Sequence, residues 1–274
     1  MFPIIKLEKG VRLPTKGTYY VIAGNGIFLH KETGLIKALV KVESISFLRS
    51  LASSASLNLP LINSEIIARS LLFFRSVHRQ HNSEAVVLLH YNPESNLFKL
   101  VCPMQSVSAA HADYDSSERI DGYQLVGSIH AHNCFNAFHS DVDQYDEKNF
   151  DGIHITIGRL DQPHFNISCE IVVNNNRFTI SPEDAIMGIE KVDWVPWSFR
   201  KRKKNTIPES QKSEAIKSSV KATNATVHPS QKFYKIKLPD GKNLRHVGFP
   251  HNWLDMVTKQ IPNQQRSRDR NKDK

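Results

Sequence analysis

Hydrophobic and polar positions in this chain of 274 residues follow two periods, one typical of strands and one typical of helices. Within residues 18–42, short apolar runs are separated by turn sequences rich in glycine and asparagine, which predicts a small β-meander. From Asn63 to about Arg79, apolar residues recur every three or four positions behind a good N-cap residue. This spacing predicts a helix that faces the core. Residues 46–57 fit a short helix that ends before Pro60.

Several more apolar runs follow, separated by polar turns. Predicted strands cover residues 85–91, 97–101, 124–129, 153–157, 165–173 and 177–180. A polar and acidic stretch at 109–121 predicts a loop that borders the site, and Ser181 followed by Pro182 predicts the start of another helix. Helices that flank a mostly antiparallel sheet make the predicted fold class α+β.

The last quarter of the chain has a different charge balance from the rest. The whole chain carries a formal net charge of +9, but residues 200–274 hold 19 basic and 6 acidic side chains, whereas residues 1–199 hold 17 and 21. Within this basic part, 233–238 and 243–247 predict one hairpin, and 252–259 predict a short helix. A flexible cationic segment would bind nucleic acid without sequence preference, by releasing counterions. The alternative is a solubilising tail without a partner.

These patterns divide the chain into five predicted parts. They are an N-terminal β-rich subdomain at 1–60, a domain with the candidate site at 61–199, a basic disordered linker at 200–230, a small element at 231–262 and a charged tail at 263–274.

Composition narrows the class of protein further. The mean hydropathy is -0.39, and no apolar run approaches the ~18 residues that a spanning helix needs, so we expect no membrane insertion. The first residues lack the charged start and long apolar core of a signal peptide. Three cysteines without a C-x-x-C pair indicate a reduced, cytoplasmic setting.

The candidate chemistry is concentrated in a short stretch after the strand at 124–129. His130 and His132 alternate at the end of this strand, so both imidazoles project from one face. Asp143 follows, three residues after Ser140. Two imidazoles and one carboxylate are a usual ligand set for catalytic zinc, with the fourth position left for water. The alternatives are a capping box made by Ser140 and Asp143 and ordinary hydrogen-bonded strand histidines, and the cap and ligand roles can coexist.

The order H-x-H-x(7)-S-x-x-D resembles the signature of the JAB/MPN/Mov34 (JAMM) metalloenzyme family. That family adds an upstream Glu at the start of a strand, and Glu84 matches this position. The resemblance covers about residues 63–180. Ala131 and Asn133 stand where the family usually has Ser and Pro, which affects loop geometry more than the ligands. The sequence of residues 152–158 is most similar to bacterial JAB proteins of mobile-element PRTRC cassettes, the PRTRC system protein A family.

The resemblance implies a JAB/MPN-like fold and a zinc-dependent isopeptidase or peptidase that acts on a protein or peptide. Glu84 would move protons between the water and the leaving amine, Ser140 would bind the oxyanion, and His130, His132 and Asp143 would hold Zn2+. The implied neighbours include a ubiquitin-like protein and an E1-like protein. The alternatives are a non-catalytic MPN-type scaffold or nucleic-acid-associated protein and, with less support, a zinc hydrolase of small molecules. His139 is a candidate for contacts behind the ligands, and Cys134 is a weaker candidate for a soft ligand.

Overall fold

The computed structural model describes residues 2–140, 143, 147, 150–194 and 232–260. The chain divides into two compact units, Met1–Ser54 and Ala55–Lys274. The whole predicted linker at 200–230 and the whole predicted tail at 263–274 lie outside the described residues. The predicted binding of nucleic acid through residues 200–274 therefore stays a prediction.

The first unit is a four-stranded sheet. Its strands are β1 (Ile4–Lys6), β2 (Tyr19–Ala23), β3 (Gly26–Glu32) and β4 (Lys37–Val42), in the spatial order β1-β2-β3-β4. The antiparallel pairs β2–β3 and β3–β4 form the predicted meander. Tyr19 is buried and stacks on His30 with ring centroids 4.5 Å apart, in keeping with a packing role for this tyrosine.

The second unit holds the remaining elements. In chain order they are α1 (Ser64–His81), β5 (Val86–Asn92), β6 (Leu97–Val101), β7 (Gln105–Ser108), β8 (His111–Tyr114), β9 (Gln124–His132), β10 (Gly152–Gly158), β11 (Asn166–Val173), β12 (Asn176–Ile180), α2 (Pro182–Ala185), β13 (Ile189–Val192), β14 (Phe233–Ile236) and β15 (Val257–Lys259). Short 3-10 turns lie at Pro239–Gly241, Leu244–His246 and His251–Trp253.

A six-stranded sheet in the order β12-β11-β10-β9-β5-β6 forms the centre of this unit. All neighbouring strands in it are antiparallel except β9 and β10, which are parallel. Parallel neighbours require a crossover connection, and here that connection carries Asp143 and Glu147, both in helical conformation. The sheet topology therefore places this connection at the end of β9, where the two histidines lie.

Helix α1 packs its apolar face into the core. Its buried residues include Ile67, Leu71, Phe74 and Val77, at the predicted helical spacing. The side chain of Asn63 accepts a hydrogen bond from the backbone N–H of Glu65, so the predicted N-cap is confirmed.

The segment after residue 232 differs from the prediction. The predicted hairpin of 233–238 with 243–247 is wrong, because β14 pairs with β13 and residues 244–246 form a 3-10 turn. The predicted helix at 252–259 is also wrong, because β15 pairs in parallel with β7. Trp253 is buried against Phe73 of α1, with ring centroids 5.3 Å apart. Long-range pairing and core packing thus decide the structure of this segment.

Two other predictions need correction. Residues 46–57 form neither helix nor strand, in keeping with a serine-rich sequence whose hydroxyls compete for backbone hydrogen bonds. The stretch 109–121 is not all loop, because its residues His111–Tyr114 form β8, which pairs with β7.

The second unit is α+β, with mostly antiparallel sheets and few helices, so the predicted fold class is confirmed at this level. Among the described residues, no helix combines the length and the apolar character that crossing a bilayer requires.

Candidate metal centre

The end of β9 positions two histidines on one face of the sheet. His130 and His132 are 5% and 4% exposed. Because they are two residues apart on a strand, their side chains leave the same face. The neighbouring strands β5 and β10 hold this end on both sides, since Val86 and Thr156 both pair with His130. The imidazoles are therefore fixed by a central strand rather than by a loop.

Asp143 joins the two imidazoles, and the three side chains converge. His130 Nε2 and His132 Nε2 lie 3.3 Å apart, His132 Nε2 lies 3.2 Å from Asp143 Oδ2, and His130 Nε2 lies 3.5 Å from Asp143 Oδ1. Ligand atoms about 2.0–2.1 Å from a tetrahedral metal are about 3.3–3.4 Å from one another. The two imidazole nitrogens match this spacing, whereas the two distances to Asp143 are to its two different oxygens. One ligand atom from each of the three residues lies within 4.8 Å of the others, so this group could hold a metal ion.

Ser140 holds the Asp143 carboxylate in place. Its backbone N–H and its hydroxyl both donate to Asp143 Oδ2, at 2.7 and 2.6 Å. The backbone N–H of Asp143 lies 3.3 Å from the Ser140 hydroxyl oxygen, which accepts from it. The predicted capping contact and the predicted ligand position therefore occur together. In this arrangement the Ser140 hydroxyl proton points to Asp143, and its use for an oxyanion would require the hydroxyl to turn.

The loop between His132 and Ser140 folds back over the end of β10. A Cβ on Gly158 would lie 2.5 Å from the backbone of Phe135 and of Ala137, so this close approach requires glycine. Asn133 has a φ of 39°, and its side-chain amide donates to the carbonyl of Ala109 at 2.9 Å. A proline could not adopt this φ. A chain with proline at position 133 could therefore not follow this path.

Glu84 lies beside the three candidate ligands. It is 7% exposed, just before β5, and its backbone N–H donates to Ser108 at 2.9 Å. Burial raises the pKa of Glu84 to about 7; His132 opposes this shift and Asp143 adds to it. A carboxyl with a pKa near neutrality can both accept and release a proton at physiological pH. A bound cation would lower this pKa by favouring the carboxylate.

A small cavity separates Glu84 from the ligands. Its volume is about 20 Å³, measured as the space open to the centre of a water molecule. Its lining comprises Glu84, Ala85, Val86, His111, Ala112, Tyr114, His130, Asp143 and Glu147. About 10–15 Å³ on this measure is enough for one water. The stretch at 109–121 thus borders the site as expected, through β8.

The electrostatics of the ligands fit a cation. Burial lowers the pKa of His130, which favours the neutral imidazole that a metal requires. Burial alone would lower the pKa of His132, but hydrogen bonding to Asp143 and the charge of Glu84 raise it. For Asp143, hydrogen bonds from both histidines outweigh burial and hold its pKa well below the usual range. A metal on His132 would displace a proton, so metal affinity should fall in acid.

The other residues weighed as ligands lie elsewhere. Cys134 Sγ is 3.5 Å from His78 Nε2, so this thiol faces α1 and not the three ligand atoms. His139 is buried behind the ligands and contacts Thr156 and Glu147, in keeping with its predicted place. His154 is fully buried in the core.

Sequence reasoning missed Glu147. It is only 3% exposed and lies against His139, His154 and Arg177. Its signal in the sequence was the spacing of four residues from Asp143, because two carboxylates at i and i+4 share one face of a helix. Glu147 was not predicted because acidic residues early in a polar helix are usually solvated.

Ser140→Ala separates two roles for this serine. Because the backbone N–H at position 140 still holds Asp143, we expect the variant to retain most of its metal. If the hydroxyl also turns to the oxyanion, kcat at saturating metal should fall by roughly 10²–10³, the usual effect of one lost donor. Ser140→Thr, which keeps a hydroxyl, is the control. If kcat is unchanged in the alanine variant and metal binding is weaker, Ser140 holds Asp143 but does not donate to the oxyanion.

Comparison with known proteins does not assign the chain to a family: no family model matches it, and no curated protein matches it.

Proposed function

We propose that this protein is a zinc-dependent isopeptidase or peptidase of the JAMM type. The observation that carries the proposal is the convergence of His130, His132 and Asp143 beside the buried Glu84. The order of these residues in the fold adds support. Glu84 stands at the start of a strand, the H-x-H pair ends the next strand of the central sheet, and Ser140 and Asp143 follow in the crossover.

Zinc is the metal proposed for this site. Two imidazoles and one carboxylate are the ligands of several catalytic zinc sites. The charges of the surrounding side chains also favour a divalent cation. Asp143, Glu147 and Glu170 are three carboxylates in one partly buried region, and Arg177 contacts Glu147 and Glu170. Asp143 itself contacts the two histidines, and a divalent ion bound there would take the place of their protons.

The residues of the site divide the work of amide hydrolysis. Zinc bound here would supply Lewis acidity toward the scissile carbonyl and toward a water molecule. His130, His132 and Asp143 would hold the ion, and their burial would keep bulk water away. Glu84 would take a proton from the attacking water and deliver it to the leaving amine, because it lines the cavity beside the candidate ligands. Ser140 would fix Asp143 and, by turning, donate to the oxyanion.

The substrate class is proposed from the resemblance. JAMM-type chemistry implies an amide next to the C-terminal tail of a ubiquitin-like protein, or a small amino-acyl conjugate. Asn133 has a positive φ that proline cannot adopt, so the loop beside the candidate ligands takes a different path from a loop with proline there. We therefore propose the family's reaction for this chain, and a loop surface that differs from that of relatives with proline at this position.

The test is zinc-dependent cleavage of a defined amide. The probe is ubiquitin with its C-terminal glycine amide-linked to aminomethylcoumarin, incubated with the zinc-loaded full chain. We expect fluorescence to be released, to stop on addition of 1,10-phenanthroline and to return with added zinc. A panel of peptide amides covers substrates without a ubiquitin-like part. Retained zinc without cleavage of any probe would favour the non-catalytic MPN-type scaffold.

A further inference from the structure

A second group of charged side chains lies behind the candidate ligands. We call it the buried charge cluster and define it by Glu147, Arg177, Glu170, His139 and His154. Arg177 donates to Glu147 Oε2 at 2.8 Å and to Glu170 Oε2 at 2.9 Å. The pKa of Arg177 is raised, since these carboxylates outweigh the effect of burial. Arg177 therefore connects β12 to the crossover that carries Asp143.

Glu147 is the centre of this cluster. His154 Nδ1 lies 3.2 Å from its Oε1, and His139 Nδ1 lies 3.5 Å from its Oε2. Burial alone would raise the pKa of Glu147, but hydrogen bonds from His139 and His154 hold it well below the usual range. Glu147 is therefore a buried carboxylate that is ion-paired with Arg177.

His154 is fixed independently of Glu147. Its Nε2 lies 2.9 Å from the carbonyl oxygen of Phe150, so Nε2 carries a hydrogen. Its Nδ1 lies 2.8 Å from the hydroxyl of Ser128. The walls of the cluster thus come from β9 and β10, and they hold Glu147 in one place.

One edge of Glu147 faces a ligand. Glu147 Oε1 lies 3.8 Å from Nδ1 of His130, the ring nitrogen opposite the one that faces Asp143 and His132. This separation is longer than a hydrogen bond, so the contact is electrostatic. A negative charge at the Nδ1 edge favours the tautomer with hydrogen on Nδ1, and it opposes Asp143, whose Oδ1 lies 3.5 Å from Nε2 and favours hydrogen there while no metal is bound. The tautomer with hydrogen on Nδ1 leaves a lone pair on Nε2 for a metal.

Stability alone does not explain the cluster. Buried ion pairs are often no more stabilising than apolar residues of similar volume. Among the described residues, Glu147 has the one carboxylate that lies within 4 Å of Nδ1 of His130. We propose that Glu147, anchored by Arg177, is a positioning residue that holds His130 in its metal-binding tautomer. This inference rests on the proposed metal centre.

The test is metal affinity in Glu147→Gln, with Glu170→Gln as the matched control. Both variants remove one carboxylate contact of Arg177, but Glu170 contacts His139 and no candidate ligand. Zinc affinity is measured by competition with a chelating dye. We expect Kd to rise about 10–100-fold in Glu147→Gln, the usual effect of losing such a partner, and about twofold or less in Glu170→Gln. Equal effects of the two variants would overturn the inference.

A second readout follows the tautomer itself. Nitrogen-15 NMR of the imidazoles in metal-free protein should show a larger fraction of His130 with hydrogen on Nδ1 in the wild type than in Glu147→Gln. A mere loss of stability would not change this ratio. The same ratio in both proteins would refute the proposed role.

Two more variants keep the test informative if Glu147→Gln misfolds, and they show whether Arg177 acts through Glu147. Glu147→Asp keeps the charge, and it should recover part of the affinity even if Glu147→Gln does not fold. Arg177→Met should weaken zinc binding in the wild type but add little in Glu147→Gln, because it acts through the same carboxylate. Additive effects of the two substitutions on zinc affinity would show that Arg177 does not act through Glu147. If the wild type itself binds no metal, the proposed function is refuted. If the wild type binds metal and Glu147→Gln binds it equally well, only this inference is refuted.

Discussion

Replacing both His130 and His132 with alanine should remove nearly all bound zinc, which we expect at about one zinc per chain in the wild type. The physical reason is the convergence of the three side chains, whose facing nitrogen and oxygen atoms lie 3.2–3.5 Å apart. With two imidazoles gone, Asp143 is the sole remaining member of the group. One carboxylate cannot complete a tetrahedral site. Either single alanine variant should also lose most of the metal, and plasma mass spectrometry of the purified proteins measures it.

The control is a buried histidine from the other unit. His30 is 6% exposed, and its Nδ1 lies 2.7 Å from the carbonyl of Gly17, so its burial resembles that of the ligands. His30→Ala should keep the full zinc content, whereas a general loss of structure would lower zinc in both kinds of variant. Undiminished zinc in the double variant of His130 and His132 would show that the metal, if any, lies elsewhere.

The candidate ligands could be read from the sequence because they follow local rules, whereas the role of Glu84 came from the resemblance. The period of two along a strand puts His130 and His132 on one face, and the structure shows both Nε2 atoms meeting. The S-x-x-D pattern predicts a cap, and the contacts of Ser140 with Asp143 show that cap. Local patterns also predicted α1 and the hairpin of β11 with β12, since their signals are contained within a few residues.

Contacts between distant parts of the chain could not be read in this way. Alternating apolar residues at 233–236 predict a strand, but they do not say that its partner is β13. The pairing of β15 with β7 joins residues some 150 positions apart, and no turn sequence records it. Glu147 shows the same limit, because its contacts with Arg177 and His130 come from three separate elements. Its importance depends on burial, which the sequence of a polar helix does not reveal.

Glu84→Gln should retain zinc and lose most amide hydrolysis. Glu84 lines the small cavity but is not one of the three converging ligands, so its removal leaves the metal contacts intact. Glutamine has nearly the same shape but cannot accept and return a proton. General acid–base groups contribute roughly 10²–10⁴-fold, and kcat with the coumarin probe should fall by that range while zinc content is unchanged. A glutamine variant that cleaves at the wild-type rate would remove Glu84 from the mechanism.

The stability of metal-free Glu84→Gln shows whether its loss of activity comes from the missing proton carrier or from a damaged fold. The pKa of Glu84 is raised from 4.5 to about 7 by burial, so between these values the folded state binds more protons than the unfolded state. The stability that this adds is fully present below pH 4.5 and is lost as pH rises through 7. Glutamine does not ionise, so the free energy of unfolding of metal-free Glu84→Gln, relative to wild type, should rise by about 2–3 kcal/mol between pH 4.5 and pH 8. Urea unfolding at both pH values measures this difference. A variant that is inactive yet more stable at pH 8 has lost a proton carrier, whereas one that is less stable at both pH values has lost its fold.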